Sequence, residues 1–167
     1  MRDILFRAKL KDTNYWAEGF YCSMRETTYC CEEDYKRHPV PLHHLIAVDE
    51  MTDWGLPNRL RLYEINPETL CQYTGLCDKN GKKIFEGDIL RGFQYPFCYD
   101  GEYNYYAEII FVNCSFMTYT HKNPLSYVVG ISDGNTELME CWVSEDWEVI
   151  GNIYDNPELL EDENEKT

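Results

Sequence analysis

Gln72-Tyr73-Thr74-Gly75-Leu76-Cys77-Asp78-Lys79-Asn80-Gly81-Lys82-Lys83-Ile84-Phe85-Glu86-Gly87-Asp88-Ile89-Leu90 is the stretch that decides the fold. Short apolar runs alternate in it with turn residues. Tyr73-Thr74-Gly75 reads as the end of a strand. Asp78-Lys79-Asn80-Gly81 reads as a tight turn, because Asn80-Gly81 suits the two φ > 0 positions of a type I′ hairpin. Lys83-Ile84-Phe85 is the return strand. Gly87, between Glu86 and Asp88, marks a bulge or bend before Ile89 re-enters a core. Strands this short and this closely joined point to antiparallel sheet.

The same pattern extends in both directions. Ile4, Phe6, Ala8 and Leu10 alternate with polar neighbours, so residues 4–10 read as a half-buried strand. Lys11-Asp12-Thr13-Asn14 turns the chain, and 16–22 reads as the partner. Downstream, strands are expected at 105–112, 115–119, 127–131, 138–143 and 147–154, with Asp133-Gly134-Asn135 as a hairpin turn. Asn156 and Pro157 suit the N-cap and first position of a short C-terminal helix. Residues 161–167 are nearly all charged and are expected to form a disordered acidic tail.

Between the hairpin and the central stretch the period is lost. Pro39 and Pro41 argue against a central strand there, so 25–58 is expected to be an irregular insertion. Residues 42–48 read equally as a short strand or a helical turn, and 59–65 has no clear apolar face. The expected fold class is mostly β, α+β at the margins: a small barrel or sandwich of antiparallel strands with that insertion. One domain is expected over 1–160.

Composition narrows the function classes. A chain of 167 residues, 44% hydrophobic and 15% aromatic, supports a core without disulfides or metal. Its formal charge of −15 opposes direct binding to nucleic acid or to anionic membranes. It permits competition with nucleic acid for a basic protein. No run of 18 apolar residues is present, and Met1-Arg2-Asp3 leads into an alternating segment rather than an apolar leader. A cytoplasmic protein with reduced thiols is therefore expected. The sequon Asn113-Cys114-Ser115 has no consequence in that compartment.

Chemical motifs are tested in turn. Gly75 to Gly81-Lys82-Lys83 superficially resembles a phosphate loop, but five residues separate the glycines and Lys83 replaces the Ser or Thr that holds magnesium. Asp78, Asn80 and Lys82 lack the further acids of a calcium loop. Cys30, Cys31, His38, His43 and His44 are soft ligands in one segment, yet adjacent cysteines lack the spacing that lets two sulfurs reach one zinc ion. No nucleophile elbow or cysteine-nucleophile signature occurs. Catalytic, cofactor and metal assignments are therefore none. Among the clustered aromatics, Tyr95, Phe97, Tyr99 and Tyr103 are the interface candidates.

Three ordered stretches carry a family resemblance: Ile4-Leu5-Phe6-Arg7-Ala8 with Trp16; the central stretch; and Glu148-Val149-Ile150-Gly151-Asn152-Ile153-Tyr154-Asp155-Asn156-Pro157-Glu158-Leu159-Leu160. Together they resemble the YopX-like family of phage and prophage proteins. The resemblance implies a β-rich fold and a phage or prophage origin in a bacterial host, and no activity. Departures lie in 22–54 and 93–138, and Cys77 stands where a basic or polar residue is common. Tyr73, Thr74, Gly75, Asp78, Asn80, Gly81, Gly87, Asp88, Gly151, Asn156 and Pro157 each have a folding role to play.

Three functions follow as expectations. The first is an accessory protein that binds an unknown protein partner, with a homo-oligomer as an option. The second is an acidic nucleic-acid mimic that blocks a basic host protein. The third is an enzyme with a carboxylate/His metal site drawn from Glu86, Asp88, His43, His44 and His121.

Overall fold

Alternation of Phe6 and Ala8 with Arg7 and Lys9 produces β1 (Phe6–Lys9), which pairs antiparallel with β2 (Trp16–Arg25). The computed structural model describes residues 3–92, 105–122, 136–138 and 147–160, and these form mostly antiparallel sheet. The chain divides into two compact units, Asp3–Gln72 and Tyr73–Thr167.

In the first unit, α1 (Glu32–Arg37) follows β2, and β3 (Leu42–Glu50), β4 (Arg59–Glu64) and the first two residues of β5 (Cys71–Cys77) complete the strands in the order β4-β3-β2-β1-β5. The segment 25–58 is thus not irregular throughout. It supplies a nine-residue strand in the middle of the sheet. Pro39 and Pro41 do not prevent this, because β3 starts one residue after Pro41 and the ladder needs no N–H from either proline.

The sheet curls. Leu10 bridges Ile65, the Lys11 N–H donates to the Glu64 carbonyl at 3.0 Å, and the Asn66 N–H donates to the Lys9 carbonyl at 2.8 Å, so the end of β4 meets the end of β1. The concave face holds Ala8, Ile46 and Ile65, fully or nearly buried, with Phe6, Tyr21, Val48 and Leu70 packed around them. Each of the two isoleucines contributes roughly 1.5–3 kcal/mol by leaving water.

β4 is inverted relative to a simple amphipathic strand. Tyr63 lies opposite the core residue Ile46, and Arg61 opposite Val48, so Arg59, Arg61 and Tyr63 point inward. Glu50 makes this tolerable: it accepts from Arg61 at 3.3 Å, from Arg59 at 3.4 Å and from the Tyr63 hydroxyl. Leu60 and Leu62 are left on the outer face. The unclear apolar face of 59–65 has this physical origin.

In the second unit, β6 (Lys83–Phe85) returns along the latter part of β5. β7 (Asp88–Gly92), β8 (Tyr105–Val112), β9 (Ser115–Lys122), β10 (Thr136–Leu138) and β11 (Glu148–Asn152) form a sheet in the order β10-β9-β8-β7-β11. Ile84, Leu90, Ala107, Ile109, Trp147 and Val149 make its core, with Leu76 and Phe116 packed against them. The helix start at Asn156 is a single 3₁₀ turn, Pro157–Leu159, and the Asn156 side chain makes no capping bond.

The two-residue type I′ turn lies elsewhere than expected. Asn80 is not left-handed; only Gly81 is, at φ 81°. Gly81 N–H donates to the Asp78 carbonyl at 2.9 Å and Asp78 N–H donates to the Lys82 carbonyl at 2.8 Å. This is a three-residue loop ending in a glycine bulge. The left-handed pair is Asn113 and Cys114, φ 51° and 63°, joining β8 to β9 with Val112 opposite Ser115. The strand expected at 127–131, the turn at 133–135, the tail at 161–167 and the tyrosine cluster Tyr95, Phe97, Tyr99 and Tyr103 lie outside the described residues.

Candidate functional site

The signature residues of the second unit converge on backbone. Asp78 is buried, and its carboxylate accepts three amides: Asn80 at 2.8 Å and Lys82 at 2.9 Å through Oδ1, and Val149 at 3.0 Å through Oδ2. Burial pushes this carboxyl up. The hydrogen bonds from Val149, Lys82 and Asn80, with the Lys82 charge, outweigh it and hold the group below its ordinary value. Thr74 donates to the Ile84 carbonyl at 2.9 Å and accepts from Leu76 N–H at 3.1 Å, which fixes the bulge where Gly75 has φ 93°. Tyr73 packs on Phe85.

Gly87 turns the chain out of β6 into β7 with φ 73°. The fully buried Asp88 accepts from Phe85 N–H at 2.8 Å across that turn. At the other end of the unit, a Cβ on Gly151 would lie 2.6 Å from Asn156 Oδ1, so glycine is required for the close approach of that side chain. Asn152 Oδ1 accepts from Tyr154 and Asp155 N–H, closing the bend before Pro157. The carboxylates of Asp78 and Asp88 both accept from backbone amides, and that of Asp155 accepts from the Asn152 side chain.

The first unit holds a polar cluster on its outer face. His43 Nδ1 is 2.9 Å from Glu64 and its Nε2 is 2.9 Å from Glu26. Lys11 Nζ donates to the same Glu64 oxygen at 2.7 Å. Both ring nitrogens facing carboxylates require an imidazolium; Glu64 first and Glu26 second hold the ring above its ordinary value. Lys11 and then His43 hold the Glu64 carboxyl below its own. The cluster sits where the sheet closes on itself, so it is a clasp.

The same unit also presents an ordered apolar tip. The loop between β3 and β4 exposes Met51, Trp54 and Leu56, with Trp54 93% exposed. The loop is internally tied. Asp53 Oδ1 accepts from Trp54 N–H at 2.7 Å, Leu56 N–H donates to the Asp53 carbonyl at 3.2 Å, and Thr52 Oγ1 donates to the Pro57 carbonyl at 3.0 Å. Asn58 closes its base on Asp49 at 3.1 Å, and Gly55 takes φ 78°. Sequence reasoning missed this tip. Its signal was a tryptophan set between Asp53 and Gly55, with Pro57-Asn58 behind it.

A family model described as "YopX protein" matches residues 5–161, nearly the whole chain. The chain belongs to the YopX family. The crystal structure of protein EF1440 from Enterococcus faecalis is similar to this YopX protein over 96% of this chain and 100% of that one, at 20% identity and TM-score 0.50. A likeness at that identity speaks to fold alone. No curated protein matches the chain.

Within the YopX chain the candidate ligands do not gather. Cys30 and Cys31 are exposed beside α1, where Cys31 donates to Asp34, and the His38 ring lies tilted against that of Tyr29, with centroids 6.5 Å apart. His43 and His44 point to opposite faces of β3, and His44 Nδ1 meets the Tyr21 hydroxyl at 2.7 Å. His121 pairs with Glu108 at 2.8 Å in the second unit. Among the described residues, no three of His, Cys, Asp and Glu stand together to hold an ion. Among them, too, no helix is long and apolar enough to cross a membrane.

Proposed function

We propose that this YopX protein is a phage- or prophage-encoded accessory factor of the bacterial cytoplasm that acts by binding another protein through the tip formed by Met51, Trp54 and Leu56. The observation that carries the reading is a fully exposed tryptophan held in place by four hydrogen bonds of its own loop. Trp and Met are enriched at interface centres, and a loop ordered before binding loses little entropy on docking. An exposed Trp in an unconstrained loop would support this far less.

Affinity capture from lysogenic or infected cells tests it, with Trp54→Ala/Leu56→Ala run in parallel. A defined partner recovered by the wild type and lost with the double variant is the expected result. Equal recovery by both, or recovery by neither, contradicts the reading.

A further inference from the structure

Cys30 and Cys31 are adjacent in the chain, and both are free and exposed. Each flank of the pair is tied down. Before it, the Tyr29 N–H donates to the Tyr35 hydroxyl at 3.3 Å, and the two rings meet edge-on with centroids 5.2 Å apart. After it, Cys31 is the N-cap residue of α1, and the His38 N–H closes the other end of that helix on the Asp34 carbonyl at 2.8 Å. The two thiols are not equivalent. Cys31 Sγ donates to the Asp34 carboxylate at 3.2 Å, whereas Cys30 Sγ makes no hydrogen bond among the described residues.

Adjacency has two chemical consequences. Consecutive Cα atoms are about 3.8 Å apart across a trans peptide, short of the roughly 4.4 Å or more that a relaxed disulfide spans. A bond between these two sulfurs is therefore strained, and strained, exposed disulfides are the easily reduced, regulatory kind. The second effect favours closure. Once one thiol has reacted, its neighbour attacks within the same molecule, at a high effective concentration, before a second oxidant arrives.

We propose that Cys30 and Cys31 are a reversible redox modification site, which closes to a vicinal disulfide on reaction with a low-molecular-weight disulfide. The Cys30 thiolate, whose sulfur no hydrogen bond holds, attacks one sulfur of the small disulfide. A mixed disulfide forms on Cys30 and one small thiolate leaves. Cys31 then gives up its proton and attacks Cys30 Sγ, the bond between the two cysteines forms, and the second small thiolate leaves. Two protein thiols are oxidised, one small disulfide is reduced to two thiols, and the two protons end on those thiols. Closure takes the Sγ–H away from Asp34, so the first turn of α1 loses that contact. The site uses none of the residues of the Trp54 tip and does not depend on what the tip binds.

Treating the reduced full chain with 2-hydroxyethyl disulfide tests the site. This probe is uncharged, which matters because Glu32, Glu33 and Asp34 repel an anionic one. After the remaining thiols are alkylated, trypsin releases residues 26–36, which contain these two cysteines and no other. In the wild type, mass spectrometry is expected to find this segment unalkylated and lighter by two hydrogens, and excess 2-mercaptoethanol to restore both thiols. Cys31→Ser is expected to keep the probe's thiol as a stable adduct on Cys30. Cys30→Ser is expected to react severalfold more slowly than Cys31→Ser. A wild-type segment that retains the adduct, is linked to another cysteine or stays fully alkylated overturns the proposal. Equal rates in the two serine variants overturn the order of attack.

Discussion

Asp78 Oδ2 accepts the Val149 amide at 3.0 Å, joining two signature stretches that are far apart in the chain. One carboxylate closes the loop after β5 and also docks β11. Lys79 repeats the connection: its N–H donates to the Trp147 carbonyl at 3.0 Å, and its ammonium pairs with Glu148 at 2.9 Å. The central and C-terminal signatures therefore form one hydrogen-bonded knot. That explains why a turn and a distant strand both carry recognisable residues.

Removing that knot is costly. Asp78→Ala strands three amides, that of Val149 in a buried site, and a loss of about 3 kcal/mol is expected by urea unfolding. Asp78→Asn keeps Oδ1 for Asn80 and Lys82 but turns an amide donor on Val149 N–H, so about half that loss is expected. The folded carboxyl lies below its unfolded value of about 3.9. Its ionic contribution is therefore present above that pH and lost as pH falls through the folded value. The gap between wild type and Asp78→Asn should narrow below about pH 4. A gap independent of pH would mean that charge is irrelevant to the knot.

The two tryptophans Trp54 and Trp147 give opposite outcomes. Trp147 is 3% exposed, and its ring fills the space over Gly92, where a Cβ would lie 2.5 Å from the indole. Trp147→Ala is expected to cost about 3–5 kcal/mol. Trp54→Ala should change unfolding free energy by no more than about 0.5 kcal/mol, because the side chain touches little. A large loss at Trp54 would make it a packing residue and remove the case for an anchor.

What the sequence made legible follows from how locally each feature is determined. β1, β2, β6 and β7 are written in period-two alternation and in glycine turns, so they can be read from neighbours alone. β3 cannot, because its flanking prolines are local signals against a strand while its partners on β2 and β4 are distant. The turn at Asn80-Gly81 was misread for the same reason. The Asp78 side chain, tied to Val149, selects a three-residue loop over the type I′ turn that the dipeptide favours in isolation. Outward leucines on β4 depend on Glu50 holding two arginines inward, a relation invisible along the strand. The Trp54 tip was legible in principle, since tryptophan between Asp and Gly has no strand to serve.

His43 gives a pH dependence of the opposite sign to Asp78. Glu64 and then Glu26 raise its folded pKa above the unfolded value of about 6.5. The contribution of the clasp is thus complete below that pH and is lost as pH rises through the folded value. The depressed Glu64 carboxyl sets the acid limit: its contribution is lost as pH falls below about 4.3. Proton NMR titration should place the His43 midpoint above that of a free imidazole, and Glu64→Gln should lower it more than Glu26→Gln. An unshifted midpoint in the wild type would show that the two carboxylates do not hold the ring.

The β8–β9 turn offers a stabilising change. Cys114 holds φ 63°, a region where a side chain costs of the order of 1 kcal/mol and glycine costs nothing. Asn113 suits its own left-handed position, so Cys114→Gly creates the Asn-Gly pair that type I′ hairpins favour. The gain is partly offset by the added freedom of glycine in the unfolded chain. Thermal unfolding should show a net gain of about 0.5 kcal/mol, seen as a small rise in Tm. Cys114→Val, which keeps the bulk and adds a β-branch, should fall by more than that amount. If both variants unfold like the wild type, the strain at Cys114 is not carried by the folded state, and the turn contributes nothing to the stability of the second unit.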